Sequence, residues 1–184
     1  MKIKISQTPP EALNHDTLIL GFFSDERPPK GYCGLVDWRL NGLISTEIAQ
    51  GRISGDFPEK LLYAFPKRIR ISRLLLFGLG SLSALTHDRL YNTGYEMAQT
   101  VSGLRANDLV LPIPAAGRGA LKLSGMVEAM LTGLFDGFAH KQEELPAIHL
   151  EIPVGEDQAD EVSVGLDLFR QHIGAAGIET MELE

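Results

Sequence analysis

The sequence predicts an α/β fold with a mixed, largely parallel sheet that carries helices on both faces. Continuous apolar runs such as Leu74-Leu75-Leu76-Phe77 lack polar alternation, which is typical of strands covered on both sides. Segments with the 3.6-residue period of amphipathic helices lie between these runs. The composition, 44% hydrophobic and 22% charged, is that of an ordinary globular protein.

Five segments rich in Ile, Leu, Val or Phe, each closed by Gly, Pro, Ser or Asp, are predicted strands: residues 2–6, 17–23, 68–77, 109–113 and 147–152. Apolar periodicity predicts helices over residues 87–105, 120–139 and 162–173, and a shorter helix over residues 37–51. Whether residues 178–183 add a last strand stays open. Without an internal repeat or a long linker, residues 1–184 are expected to form one domain.

Charge and composition exclude several classes of partner. The formal net charge of −7 would repel a phosphate backbone, and no basic run offsets it, so we expect no nucleic-acid partner. The longest nearly apolar segment, residues 74–85, is well short of the roughly 20 residues that cross a bilayer, so we expect no membrane association. The single cysteine, Cys33, has no disulfide partner in the chain, and residues 1–5 alternate like a strand, which favours a cytoplasmic location.

The turn Gly78-Leu79-Gly80, followed by Ser81, comes directly after the most apolar strand. Ligands of α/β sheets bind where the carboxyl ends of strands and helix N-termini converge. Gly78, Gly80 and Ser81 are therefore candidate ligand residues. The alternative is that the two glycines only let the chain leave the sheet sharply.

A second glycine loop, Pro114-Ala115-Ala116-Gly117-Arg118-Gly119, follows the strand predicted over residues 109–113. Gly117 and Gly119 would let backbone N–H groups approach an anion, and Arg118 supplies a guanidinium. The alternative is a left-handed turn with a solvated arginine. If the two loops leave adjacent strands, they form one crevice.

Residue patterns that signal catalysis or metal binding do not occur in the chain. There is no His-Glu-x-x-His pair, no second cysteine for a thiolate site, no Gly-x-Ser-x-Gly elbow and no complete Walker loop. Cys33 fits a structural cysteine better than a nucleophile. We assign no catalytic residue, no metal ligand and no cofactor.

Four segments in this order resemble the amino-terminal domain of the leucyl aminopeptidase, or cytosol aminopeptidase, family: residues 16–23, Leu40-Asn41-Gly42-Leu43-Ile44-Ser45, Gly51-Arg52-Ile53-Ser54-Gly55 and residues 73–80. The likeness covers most of the chain. In that family the catalytic two-metal site lies in a separate carboxy-terminal domain with the signature Asn-Thr-Asp-Ala-Glu-Gly-Arg, which no segment here matches. The resemblance therefore implies a free-standing relative of the regulatory half, and it brings in hexamers as the family's assembly.

That amino-terminal domain is in turn similar to macrodomains, three-layer proteins that bind ADP-ribose. The segment from Gly31 through Gly34 to Asp37 looks like the macrodomain glycine loop before a helix, and residues 112–117 look like its second phosphate loop. The resemblance adds Gly31 and Gly34 to the candidate ligand residues. This chain has Phe22-Phe23-Ser24-Asp25 where macrodomains carry Asn-Ala-Ala-Asn.

Small residues recur at intervals of four in the helix predicted over residues 120–139: Gly125, Ala129, Gly133 and Gly137. Each interior glycine costs roughly 1 kcal/mol relative to alanine, so close packing against another backbone must compensate. We expect the sheet to supply that backbone, with self-association as the alternative.

Three hypotheses follow. The first is a non-catalytic module that binds a small anionic ligand, its own copies or an aminopeptidase partner. The second is an enzyme, either a hydrolase of ADP-ribosyl groups or an aminopeptidase. The third is a purely structural role, which predicts a filled crevice with Arg118 paired to a carboxylate of its own chain.

Overall fold

The computed structural model describes residues 1–139, 141–174 and 179–181. Within these residues seven strands form one sheet: β1 Lys2–Ser6, β2 Thr17–Phe22, β3 Lys60–Ala64, β4 Arg73–Gly78, β5 Asp108–Val110, β6 His149–Pro153 and β7 Glu179–Met181. Their order across the sheet is β3-β4-β2-β5-β6-β1-β7. Every neighbouring pair is parallel except β3 with β4, which is antiparallel. The predicted mixed, largely parallel sheet is confirmed.

Five α-helices of the described chain cover the sheet: α1 Gly31–Arg39, α2 Leu43–Ala49, α3 His87–Gly103, α4 Leu123–Gly137 and α5 Ala159–Ile173. Successive side chains of a strand point to opposite faces. In β2, Ile19 packs with the core under α3, α4 and α5, whereas Leu18 and Leu20 pack with the core under α1 and α2. This alternation divides the molecule into three layers. No helix within the described ranges is long and apolar enough to cross a membrane.

The prediction of one helix over residues 37–51 is wrong, because two separate helices, α1 and α2, occupy this part of the chain. Asn41 and Gly42 have φ values of 60° and 76°, in the left-handed region that ends a helix. The buried Asp37 then takes the role of a cap for α2. Its Oδ1 accepts the backbone N–H groups of Ile44 and Ser45 at 2.7 and 3.1 Å, and its Oδ2 accepts the Ser45 hydroxyl at 2.5 Å.

Three strands differ from their predictions, and one of them, β5, ends at Val110 where the prediction extended to residue 113. The strand expected from residue 68 begins only at Arg73, since Arg68 has a φ of 79° and Ser72 N donates to Asp16 O at 2.9 Å. The edge strand β3, whose side chains are exposed or half-buried, was not predicted, although Leu61, Leu62 and Tyr63 form a short apolar run. At the other edge, Glu179–Met181 pairs with β1, while residues 178 and 182–184 lie outside the described residues.

The small-residue stripe of α4 packs against α3, so the expectation that the sheet supplies the partner is wrong. A Cβ on Gly133 would collide with the Tyr91 carbonyl, and one on Gly137 would lie 2.5 Å from the Ala98 Cβ. Gly94 of α3 makes the reciprocal approach, to the backbone of α4. Two helix backbones meet here, and a side chain on either would force them apart.

Candidate functional site

A cavity of about 250 Å³, here called cavity A, lies beyond the carboxyl ends of the neighbouring parallel strands β2 and β5. The connection from β2 into α1 forms one wall, with Gly31 and Leu35. Residues 112–116 and Arg118, which follow β5, form the other wall, and Gln158 contributes from the turn before α5. Cavity A therefore occupies the position where open α/β sheets bind their ligands.

The N-terminus of α1 borders cavity A. Gly31, its first residue, has a φ of 58°, which favours glycine. Gly34 is required for a different reason, because a Cβ there would lie 2.5 Å from the Pro29 carbonyl oxygen. The two glycines allow the first turn of α1 to pack closely against residues 29–30. The positive end of the helix dipole therefore lies at the cavity.

The loop that carries Arg118 turns through three left-handed residues, Ala115, Gly117 and Gly119, with φ values of 57°, 70° and 88°. Arg118 N donates to Ala115 O at 2.7 Å and closes the turn. A Cβ on Gly117 would lie 3.0 Å from Gln158 Nε2, so this loop also packs closely against the turn before α5.

Arg118 forms an ion pair with Glu26, its Nη1 donating to Glu26 Oε1. Glu26 is 7% exposed and Arg118 27% exposed, and the guanidinium lies 5.8 Å from the centre of the Phe23 ring. The arginine is thus paired within its own chain, as a structural role would require. Cavity A beside it is nevertheless open, so the filled crevice of that hypothesis is not observed.

Cys33 lines cavity A but is a poor nucleophile. Burial raises the pKa of its thiol to about 12, and the carboxylates of Asp37 and Glu26 add to the effect. A thiol with this pKa is almost entirely protonated at neutral pH, whereas nucleophilic cysteines require the thiolate.

Both glycines of the Gly78-Leu79-Gly80 turn pack against the backbone of another segment of the protein, at Gly55 and Asp56. Gly78 ends β4 against the backbone of Gly55 and Asp56, where a Cβ would collide. Gly80, with a φ of 77°, donates its N–H to Gly55 O at 2.8 Å. Neither glycine lines cavity A. These contacts explain both glycines through close backbone packing.

Ser81 holds Asp25, which follows β2. Ser81 Oγ donates to Asp25 Oδ2 at 2.6 Å and Leu82 N donates to Asp25 Oδ1 at 2.9 Å, and these bonds lower the pKa of the carboxyl. Asp25 borders a second cavity of about 340 Å³, cavity B, together with Leu82, Ser83 and Arg118 to Leu121.

The strand β2 separates β4 from β5, so the two glycine loops do not leave adjacent strands. Arg118 instead stands between cavities A and B.

Sequence reasoning missed Glu26, Lys30 and Gln158, which the fold brings to Arg118 or to cavity A. All three lie in connections that follow the parallel strands β2 and β6. That position was the available signal, because such connections gather at one end of a parallel sheet.

Within the described ranges, no group of three or more His, Cys, Asp and Glu side chains is placed to hold a metal ion. Among the histidines that the structure describes, His15 at the opposite end of the sheet lies within hydrogen-bonding distance of two carboxylates. Its Nδ1 lies 2.6 Å from Asp108 Oδ1 and its Nε2 lies 3.0 Å from Glu151 Oε2, so both ring nitrogens face carboxylates of the fold. His140 lies outside the described residues.

Comparison with solved structures places the fold among two groups. A tomato leucine aminopeptidase variant superposes with a TM-score of 0.64 at 20% identity, covering 94% of this chain and 37% of that chain. The Oceanobacillus iheyensis macrodomain with MES bound gives 0.70 at 7% identity, covering 90% of each chain. The Trypanosoma brucei macrodomain in complex with ADP-ribose gives 0.67 at 13% identity, covering 94% of this chain and 69% of that chain. At these identities the likeness establishes the shared fold.

Sequence comparison identifies the family. A probable cytosol aminopeptidase of Pseudomonas syringae pv. tomato is 25% identical over 137 residues, which cover 74% of this chain and 27% of that protein. One of a Cyanothece species is 24% identical over 114 residues, which cover 62% of this chain and 23% of that protein. The chain thus spans about a quarter of the length of these curated relatives. The model of the cytosol aminopeptidase family's N-terminal domain matches residues 19–142, which shows that the chain belongs to this family.

Proposed function

We propose that this domain is a non-catalytic binding module that takes a small anionic ligand, nucleotides included, in cavity A. The observation that carries the proposal is the meeting of the α1 N-terminus and the Arg118 guanidinium at one open cavity. Backbone N–H groups at a helix N-terminus and a guanidinium both bind phosphate and carboxylate oxygens.

The charges around cavity A support an anion. Lys30 and Arg118 line it, and none of the described residues that line it carries a carboxylate. Glu26 offsets part of the Arg118 charge, so Lys30 and the positive end of α1 supply the rest of the attraction for an anion on a chain with a formal net charge of −7. A local positive field on an acidic protein concentrates anions at that place.

The structural neighbours support the same ligand class. The Trypanosoma brucei macrodomain is in complex with ADP-ribose and the Oceanobacillus iheyensis macrodomain has been solved with ADP. Both ligands contain phosphate groups. Cavity A, at about 250 Å³, is slightly smaller than the roughly 300–1,000 Å³ of pockets for drug-sized ligands. Its size suits the phosphate part of such a ligand better than the whole.

An assembly role is the second candidate, because α1 presents an apolar surface. Leu35 is 51% exposed and Trp38 is 74% exposed, and at a spacing of three residues they share one face of α1. A large exposed aromatic side chain is typical of an interface anchor. The partner would be a second copy or the catalytic part of an aminopeptidase, and the Trp38→Ser variant should lose that association in light scattering.

Catalysis is less well supported. Cys33, which lines cavity A, has its pKa raised to about 12 by burial. A metal-dependent peptidase rate on leucine amide substrates, lost on substitution of defined carboxylates of this chain, would contradict the non-catalytic proposal.

Calorimetric titration with ADP-ribose, ADP and inorganic pyrophosphate tests ligand binding. We expect saturable binding of at least one of the three probes. The informative variant is Gly31→Ala, because its methyl group would lie 3.2 Å from Arg118 Nη2, on the edge that an anion would use. We expect that variant to bind at least tenfold more weakly.

The matched control is Gly42→Ala. Gly42 has a φ of 76°, so alanine meets similar backbone strain there, but nothing lies within 4 Å of the added methyl group. Its affinity should stay within twofold of that of the native chain. Absence of heat at millimolar concentrations of all three probes, or equal losses in the two variants, would contradict the proposal.

A further inference from the structure

Arg118 lines both cavity A and cavity B, so it stands where the two cavities meet. Its Nη1 is engaged by Glu26, whose carboxylate is 7% exposed. The opposite edge of the guanidinium faces Gly31, where a Cβ would lie 3.2 Å from Nη2 and 3.4 Å from Nε. The guanidinium of Arg118 thus contacts Glu26 through Nη1, and its Nη2–Nε edge borders cavity A.

The edge towards cavity A is available for a ligand. Among the residues that the structure describes, no side chain or carbonyl accepts a hydrogen bond from Arg118 Nη2 or Nε. A guanidinium can bind two anions at once, because its five N–H groups point along different edges. An anion in cavity A can therefore contact Arg118 without displacing Glu26.

Removal of Arg118 from its position is unfavourable as long as Glu26 is charged. A buried carboxylate that loses its cation keeps its desolvation cost and has no compensating partner. The Phe23 ring, 5.8 Å from the guanidinium, supports the same position. A ligand that extends from cavity A into cavity B would have to displace this pair.

We propose that Glu26 is a specificity-determining residue, which holds Arg118 in place and thereby makes cavity A prefer compact anions such as pyrophosphate over nucleotides. The inference rests on the proposed function, because it concerns the ligand of the same cavity. Glu26 acts through Arg118, so it is a positioning residue. Ligands longer than cavity A are disfavoured as long as the ion pair is intact.

The test compares inorganic pyrophosphate with ADP-ribose in the native chain and in Glu26→Gln. We expect the native chain to bind pyrophosphate at least tenfold more tightly than ADP-ribose. In Glu26→Gln, Arg118 can move without leaving a buried charge, so the preference should fall below threefold through a gain in ADP-ribose affinity. An unchanged preference in this variant, or a native chain without the preference, would overturn the inference.

Glu47→Gln is the matched control. Glu47 is also buried and also paired with an arginine, Arg52, but it lies in α2 and lines neither cavity. It should keep the preference of the native chain. If Glu26→Gln does not fold, Glu26→Asp, which keeps the charge but shortens the side chain, should show a partial loss of the preference. A full native preference in that variant would overturn the inference.

A measurement without ligand separates this inference from the proposed function. The NMR signals of the Arg118 Nη–Hη groups, identified by their loss in Arg118→Lys, should report slow rotation about the Nε–Cζ bond in the native chain and in Glu47→Gln, because Glu26 holds Nη1. That rotation should be at least tenfold faster in Glu26→Gln. Failure of every variant to bind either probe would refute the proposed function. An unchanged rotation rate in Glu26→Gln would refute the inference that Glu26 holds Arg118 in place.

Discussion

Replacement of Gly133 by alanine tests the helix contact that holds α4 against α3. The added Cβ would collide with the Tyr91 carbonyl oxygen and would also lie 2.7 Å from the Tyr91 carbonyl carbon. Both atoms belong to a helix backbone, which cannot rotate away as a side chain can. The two helices must therefore separate, at the expense of the buried contacts around Met130 and Leu134.

Two opposing terms decide the magnitude. Alanine in place of an interior helical glycine favours the helix by roughly 1 kcal/mol. Overpacking of a tight contact costs roughly 1–3 kcal/mol, and more where the backbone has to move. Since the obstacle at Gly133 is backbone, we take the upper end of that range and expect a net loss of about 2 kcal/mol in the free energy of unfolding. For a chain of this size that lowers Tm by about 4–8 °C.

Thermal and urea unfolding, followed by circular dichroism, measure the effect in a series of three variants. Gly103→Ala, at the end of α3 with nothing within 4 Å, should be neutral or slightly more stable than the native chain. Gly125→Ala meets only the movable tip of His87 at 2.7 Å and should change little. A Gly133→Ala variant as stable as Gly103→Ala would refute the helix contact.

Two further variants probe single residues. Asp37→Ala should lose about 1–2 kcal/mol of stability in urea unfolding, because it removes the acceptor for Ile44 N and Ser45 N, whereas Asp37→Asn keeps one acceptor oxygen and should lose less. For Cys33, burial raises the pKa from 9.0 to about 12, so the folded chain retains a proton that the unfolded chain releases in this range. Stability should therefore fall as the pH rises from about 9 to 12, and Cys33→Ala should show a shallower decline. An equal slope in both chains would contradict this assignment.

The layered fold was predictable from the sequence because its strands and long helices are strongly patterned. Apolar runs identified β1, β2, β4, β5 and β6, and the 3.6-residue period identified α3, α4 and α5. The break between α1 and α2 was not predictable from periodicity. It depends on the left-handed φ of Asn41 and on hydrogen bonds from Ile44 and Ser45 to the Asp37 side chain, seven and eight residues earlier. Neither feature follows from the apolar period of the sequence.

The candidate site was predictable only in part. Arg118 and the glycines beside it form a local pattern that a sequence can display. The ion pair with Glu26 joins residues 92 positions apart, and it depends on β2 and β5 being neighbours in the sheet. Composition and spacing contain no information on strand order, so the two glycine loops could not be assigned to separate places.

The position of β1 in the sheet constrains how the chain folds. β1 lies between β6 and β7, and its residue Lys2 pairs with His149 and Glu179. During synthesis at roughly 5–20 residues per second, about 7–30 s pass between the synthesis of β1 and that of β6. In that interval β2, β4 and α3 can already assemble, while β5 exposes the edge that β6 will cover. The nascent chain should therefore be most vulnerable to proteases and to mispairing shortly before residues 149–153 emerge from the ribosome.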